Sequence, residues 1–165
     1  MEVRIKRKRV KPIVIIIIAV VVLIVAVVLY IFTPFGFWGV TLDGEYQMII
    51  TVNGEHELTA TMENNTSSHA LRRMLPRTIN MRDYGGVEKV GMLWKGLPRN
   101  DMSISAQPGD IILFMGNAFV IYYEPNNWNF TRLGHINDVT HDELREIFGS
   151  GNVTVTLSLP MSDTP

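Results

Sequence analysis

The stretch YQMIITVNGEHELTATM, residues 46–62, predicts a β-hairpin. Asn53-Gly54 supplies the positive φ angles that a two-residue type I′ turn demands, with Tyr46 to Val52 and His56 to Met62 as its arms. On the second arm Leu58, Ala60 and Met62 fall on one face and Glu57, Thr59 and Thr61 on the other, the pattern of a strand with one wet side.

The residues that follow extend the β reading. Asn64 to Ser68 offer several N-caps for a short helix carrying Ala70, Leu71, Met74 and Leu75, which Pro76 ends. Thr78 to Met81 reads as a short strand running into Asp83-Tyr84-Gly85-Gly86. Val87 to Pro108 has little periodicity and many Gly, Pro and Asn residues, so it reads as one long structured loop. Asp110 to Phe114 and Ala118 to Tyr123, joined at Gly116-Asn117, form a second hairpin with almost wholly apolar arms, as expected of strands covered on both faces. Phe130 to Ile136 is a further strand. Thr140-His141-Asp142-Glu143 is a capping box for a helix to Phe148 that Gly149 and Gly151 stop, and Val153 to Leu159 is the closing strand. Six or more strands, two short helices and no βαβ alternation place the domain in the mainly β class, as a closed barrel.

Upstream lies a segment of a different kind. PIVIIIIAVVVLIVAVVLYIF, residues 12–32, carries no charge. Roughly 20 apolar residues cross a hydrocarbon core about 30 Å thick, so this run predicts one transmembrane α-helix. Its Val and Ile would favour a strand in water, but lipid offers the backbone no partner and only a helix satisfies its own N–H and C=O groups. The preceding tail, MEVRIKRKRVK, has six basic residues against Glu2, a charge of 6 − 1 = +5. Such a tail stays in the cytoplasm and adheres to anionic lipid. The run exceeds the roughly 7–15 apolar residues of a secretory signal, and Tyr30, Phe32, Phe35, Phe37 and Trp38 at its exit suit an aromatic belt. The expected organisation is a cytoplasmic tail (1–11), an uncleaved single-pass anchor (12–32), a linker (33–44), an extracytoplasmic β-barrel domain (45–160) and a short tail (161–165).

The overall charge of −1 conceals two opposed parts, because from Thr33 onward nine basic residues meet fifteen acidic ones, 9 − 15 = −6. An acidic domain without a basic stripe is not expected to bind nucleic acid. The absence of cysteine excludes disulfides, iron–sulfur clusters, thiol catalysis and the usual structural zinc sites. No metal or other cofactor is expected. His56 lies between Glu55 and Glu57, but in a strand its side chain points away from theirs.

No catalytic residue is assigned, since no G-x-S-x-G, P-loop, G-x-G-x-x-G or H-E-x-x-H occurs. The strongest candidate site is the run around DYGGVEK, where Arg82, Asp83, Tyr84, Glu88 and Lys89 bracket Gly85-Gly86 at a strand end. If it lines a pocket, changing Tyr84 and Lys89 to Ala should cost little stability yet abolish ligand binding. The alternative is a tight turn in which Asp83 accepts backbone N–H groups and Glu88 pairs with Lys89 or Arg82. Asn117, Tyr122, Tyr123, Arg132 and His135 join the candidates if one barrel end gathers them. His69 and His141 read as surface residues, and Asp142, Glu143 and Glu146 as servants of a helix cap and dipole.

DYGGVEK, GDIILFMGN, TRLG and GSGNVTV, in this order, resemble the small bacterial cyclophilin-like domain family from Tyr46 to Leu159. The resemblance implies a closed eight-stranded β-barrel with short capping helices. It implies no activity, for the family brings no established catalytic set. The arginine motif of the Phe-His-Arg type on which isomerase cyclophilins depend is absent, Arg132 following Phe130-Thr131 instead, so efficient prolyl isomerisation is not expected. The expected function is binding of a small molecule or peptide at the cell surface. An enzyme, or a scaffold docking another envelope protein through a large apolar patch, are the alternatives.

Overall fold

The computed structural model describes residues 19–26 and 44–161. Residues 19–26 are helical and exposed, and among the described residues no helix is long and apolar enough to cross a membrane. The rest of the predicted span 12–32, the basic tail 1–11 and residues 33–43 and 162–165 lie outside the described residues. The chain divides between Thr41 and Leu42 into two units.

The hairpin forms at the expected place, with β1 (Tyr46–Val52) and β2 (His56–Met62) paired antiparallel. Asn53 and Gly54 have φ of 53° and 75°, and Glu55 N–H donates to the Val52 carbonyl at 3.0 Å. Val52 nevertheless pairs with His56, which leaves Glu55 outside the ladder and makes the connection one residue longer than a two-residue turn. Every second residue of β1 is buried, from Tyr46 through Met48 and Ile50 to Val52.

The remaining elements are α1 (Thr66–Arg72), β3 (Arg77–Tyr84), β4 (Glu88–Met92), β5 (Met102–Ala106), β6 (Asp110–Phe114), β7 (Ala118–Tyr122), β8 (Asn126–Ile136), α2 (His141–Phe148) and β9 (Val153–Ser158). The ladders run β2-β1-β9-β3-β4-β7-β6-β8, and β8 returns to β2 through Ala60↔Ile136 and Met62↔Gly134. Eight antiparallel strands therefore close into a barrel, as the resemblance implied. β5 adds a ninth strand on the outer half of β8.

Two further sequence expectations need correction here. The segment from Val87 to Pro108 is not one loop, since it contains β4 and β5, and β3 continues past Met81 to Tyr84. Gly91 hid β4, because glycine is a poor strand former. Here it is needed, as a Cβ at that position would lie 2.4 Å from Ile79 Cγ2 on the neighbouring strand. The second correction is His69, which is buried at 3% exposure instead of lying on the surface. Its Nε2 lies 2.8 Å from Asn64 Oδ1, and burial together with the nearby Arg72 and Arg73 charges lowers its pKa.

Met48, Ile50, Met62, Met81, Phe119 and Ile121 fill the barrel, joined by Leu71 of α1 and by Leu144 and Phe148 of α2. Each such side chain contributes roughly 1.5–3 kcal/mol by leaving water. The α1 N-cap is Asn65, whose side chain accepts from Ser68 N–H at 2.9 Å. The Thr140/Glu143 capping box opens α2, with Thr140 N–H donating to Glu143 Oε2 at 2.7 Å.

A second apolar cluster lies on the other face of the same wall. The apolar arms of β6 and β7 alternate: Ile111, Leu113, Phe119 and Ile121 belong to the interior, while Ile112, Ala118, Val120 and Tyr122 form an exterior cluster with Phe130 and Ala106. The two-sided coverage expected of this hairpin is thus provided by the barrel core on one side and by β5 with the outer half of β8 on the other.

Candidate functional site

The pleat divides the charged run 82–89 between two faces. In the β3–β4 hairpin Asp83 pairs with Lys89, Arg82 with Val90 and Tyr84 with Glu88. Residues directly opposite share a face and neighbours alternate, so Asp83 and Lys89 turn one way while Arg82, Tyr84, Glu88 and Val90 turn the other. The hairpin turns at Gly85-Gly86, with φ of 64° and 68°, and Val87 N–H donates to the Tyr84 carbonyl at 3.2 Å.

On the inner face Lys89 is fully buried. Its ammonium donates to Asp83 Oδ1 at 2.6 Å and to the carbonyls of Gly149 and Gly151, both at 2.8 Å. All three N–H donors are thereby used. The Tyr123 hydroxyl also donates to Asp83 Oδ1, and Gly86 N–H donates to Oδ2 at 3.1 Å. The Lys89 ammonium, followed by the Tyr123 hydroxyl, holds the Asp83 carboxyl below the usual carboxylate range. Burial and the Asp83 carboxylate push the Tyr123 phenol up. Asp83 therefore takes the backbone N–H of the tight-turn reading, but its ionic partner is Lys89, while Glu88 pairs with neither Lys89 nor Arg82. The expectation that Lys89 could be changed at little cost is corrected: it ties the β3–β4 hairpin to the loop that follows α2.

On the outer face Tyr84, Glu88, Val90, Phe114, Val120, Tyr122, Asn126, Trp128 and Phe130 line a groove of about 560 Å³. Phe130 packs edge-on to Phe114 at 6.1 Å between centroids and tilted to Tyr122 at 5.7 Å. Tyr84 and Trp128 form the rim, 71% and 64% exposed. At one end Asn126 Nδ2 donates to the Tyr122 hydroxyl at 3.0 Å, and Tyr122 stands directly opposite Glu88 across the β4–β7 ladder. Glu88 Oε2 is covered and has no hydrogen-bond partner. Burial pushes the Glu88 carboxyl above its ordinary value and the Tyr122 phenol upward as well.

The other candidates are dispersed. Arg82 lines a shallow trough of about 1000 Å³ across β3, β4 and β9, where Thr154 Oγ1 donates to Asn80 and Thr154 N–H to Asn53. Asn117 lies in the β6–β7 turn, its carbonyl accepting from Leu93 N–H at 2.8 Å. Arg132 and His135 both hold the buried Asp110, each at 2.9 Å. Arg132 lines a cavity of about 450 Å³ with Asn65 and Asn100, away from Tyr122. His141 pairs with Glu124 at the surface. Among the described residues no group of three or more His, Asp or Glu is placed to hold a metal.

The groove has the usual character of a ligand site, an apolar floor with few convergent polar groups. The trough is larger, but much of its polar lining is already paired. Of the residues lining the groove, sequence reasoning named Tyr84, Glu88 and Tyr122 and missed Val90, Phe114, Val120, Asn126, Trp128 and Phe130. A signal for part of this was present: Trp128 and Phe130 are two apart in a run of Asn residues, the spacing of one strand face.

The model of the Cyclophilin-like family matches residues 50–158. The fold is also that of the solution structure of a hypothetical protein from Archaeoglobus fulgidus, at 14% identity and a TM-score of 0.51, covering 72% of this chain and 98% of that one. No curated protein matches the chain.

Proposed function

The chain belongs to the cyclophilin-like family, and from that premise we propose that its barrel is a binding module that takes a small molecule or peptide in the exterior groove. The observation that carries this reading is the groove itself: an apolar floor about 560 Å³ in extent, two exposed aromatic rims and one end built from Glu88, Tyr122 and Asn126. Its volume falls within the range of roughly 300–1,000 Å³ typical of small-ligand sites. Exposed aromatics at a rim lose little conformational entropy on contact, since each has two side-chain torsions. Of the charged run, Tyr84 and Glu88 belong to this site, and Asp83 and Lys89 serve the framework.

The module is further proposed to be held at the cell surface by the single-pass anchor 12–32, with the basic tail inside and the acidic domain outside. The support is the uncharged run of sequence and the +5 charge before it (6 − 1).

The binding reading is tested by a thermal-shift screen of the full chain against water-soluble small molecules and short peptides, followed by calorimetry on the hits. Trp128→Ala removes an exposed rim residue and is expected to abolish binding at an unchanged melting temperature. Hits that bind Trp128→Ala as well as the original protein would place the site elsewhere and overturn the assignment.

A further inference from the structure

We propose that the groove selects ligands bearing an ammonium or guanidinium group on an apolar stem, with the Glu88 carboxylate as counter-charge. This rests on the reading of the groove as a binding site and adds to it the chemical class of the ligand.

Glu88 is the carboxylate of the groove, and no Lys or Arg is among the residues that line it. An ionised carboxylate offers about four lone-pair sites. Here Oε2 is covered and has no donor. The adjacent Lys89 cannot help, for it faces the other way and spends its three donors on Asp83, Gly149 and Gly151. Asn126 donates into the Tyr122 hydroxyl oxygen, and Tyr122 lies directly opposite Glu88 on the neighbouring strand. The protein therefore presents a half-buried acid short of hydrogen-bond donors, at one end of an apolar floor.

A cationic head supplies what is missing. It brings the opposite charge, and donors for Oε1, which unlike Oε2 is not covered, and charge-assisted bonds are about twice as strong as neutral ones. Tyr84 and Trp128 offer aromatic faces on which an ammonium or guanidinium is favoured. Val90, Val120 and Phe130 take the stem. An anionic ligand would face Glu88 unscreened in a partly apolar site and is disfavoured.

The test compares three probes of similar shape, phenethylamine, 2-phenylethanol and 3-phenylpropanoate. Calorimetry is performed on the full chain in one detergent, with Glu88→Gln and Trp128→Ala in the same detergent as references for partitioning. The amine is expected to bind about tenfold tighter than the alcohol, as a hydrogen bond to a charged group warrants, and the propanoate weakest. Glu88→Gln should bring amine and alcohol together by weakening the amine alone. Equal affinity for amine and alcohol, or an amine preference that survives Glu88→Gln, overturns the proposal. If both probes then lose binding on Trp128→Ala, the groove stands as the site and only its charge selectivity falls. No binding by any of the three also overturns the proposal, while the wider screen still decides the binding reading. Should Glu88→Gln fail to fold, the order of the three probes on the original protein decides alone.

Discussion

Lys89 shows how little a side chain's charge says about its role until its face is known. In the sequence it stands beside Glu88 as one more charge of a candidate pocket, yet the pleat sends the two residues to opposite sides of the wall. Its ammonium is fully buried, whereas the Asp83 side chain remains 23% exposed. Removing one member of a buried pair leaves an uncompensated charge, at a cost of about 3–5 kcal/mol. Asp83→Ala is therefore expected to destabilise the domain by about that much in chemical denaturation, and the double variant Asp83→Ala/Lys89→Met to recover part of the loss. A double variant no more stable than Asp83→Ala would show that the ion pair is incidental. The depressed Asp83 pKa fixes a sign as well. A carboxyl whose folded pKa lies below its unfolded value, about 3.9, contributes stability above that pH and loses it as pH falls through the folded value. Stability should thus decline on acidification below about pH 4, and less so in Asp83→Asn. Glu88 is shifted the other way. Its contribution is present below the ordinary carboxylate range and lost as pH rises, so Glu88→Gln is expected to be neutral or stabilising at pH 7.

At the scale of the element, β8 decides both closure and groove. Its inner half pairs with β6 and β2, its outer half with β5. The contact with β2 passes over Gly134, where a Cβ would lie 2.5 Å from the Thr61 carbonyl oxygen and 2.7 Å from Met62 Sδ. Backbone cannot yield as a flexible side chain can, so Gly134→Ala should destabilise the domain by about 1–3 kcal/mol, the usual range for overpacking. A melting temperature unchanged by Gly134→Ala would mean that the β2–β8 seam adapts freely. Trp128, on the outer half of the same strand, should tolerate truncation without such a loss. The inner half of β8 was legible as Phe130 to Ile136. Its outer half was not, because Asn126, Asn127 and Asn129 are weak strand formers that only the β5 ladder holds extended.

For the whole molecule, the barrel places its one arginine on β8 away from the groove. Arg132 is bound to Asp110 in a different cavity. A missing electrostatic donor costs about 10²–10³ in rate, so a protease-coupled proline-peptide assay on the full chain should stay near background. A rate comparable to a true isomerase, abolished in Arg132→Ala, would reverse that expectation. The proposed anchoring predicts that protease added to intact cells removes the acidic domain and spares the basic tail; a protected domain would refute the orientation. What the sequence determined by itself is local: the first hairpin and its face, the capping box of α2, the two-faced apolar arms of β6 and β7, and the mainly β class. Each depends on a residue's own torsional preferences or on a period of two along one strand. The tertiary structure alone decided that β5 lies across the outside of the wall, that Lys89 turns inward onto Gly149 and Gly151, and that Trp128, Phe130 and Phe114 meet Glu88 in one groove. These contacts join residues far apart in the chain, and their partners are set by the register of a closed sheet, which no single strand encodes.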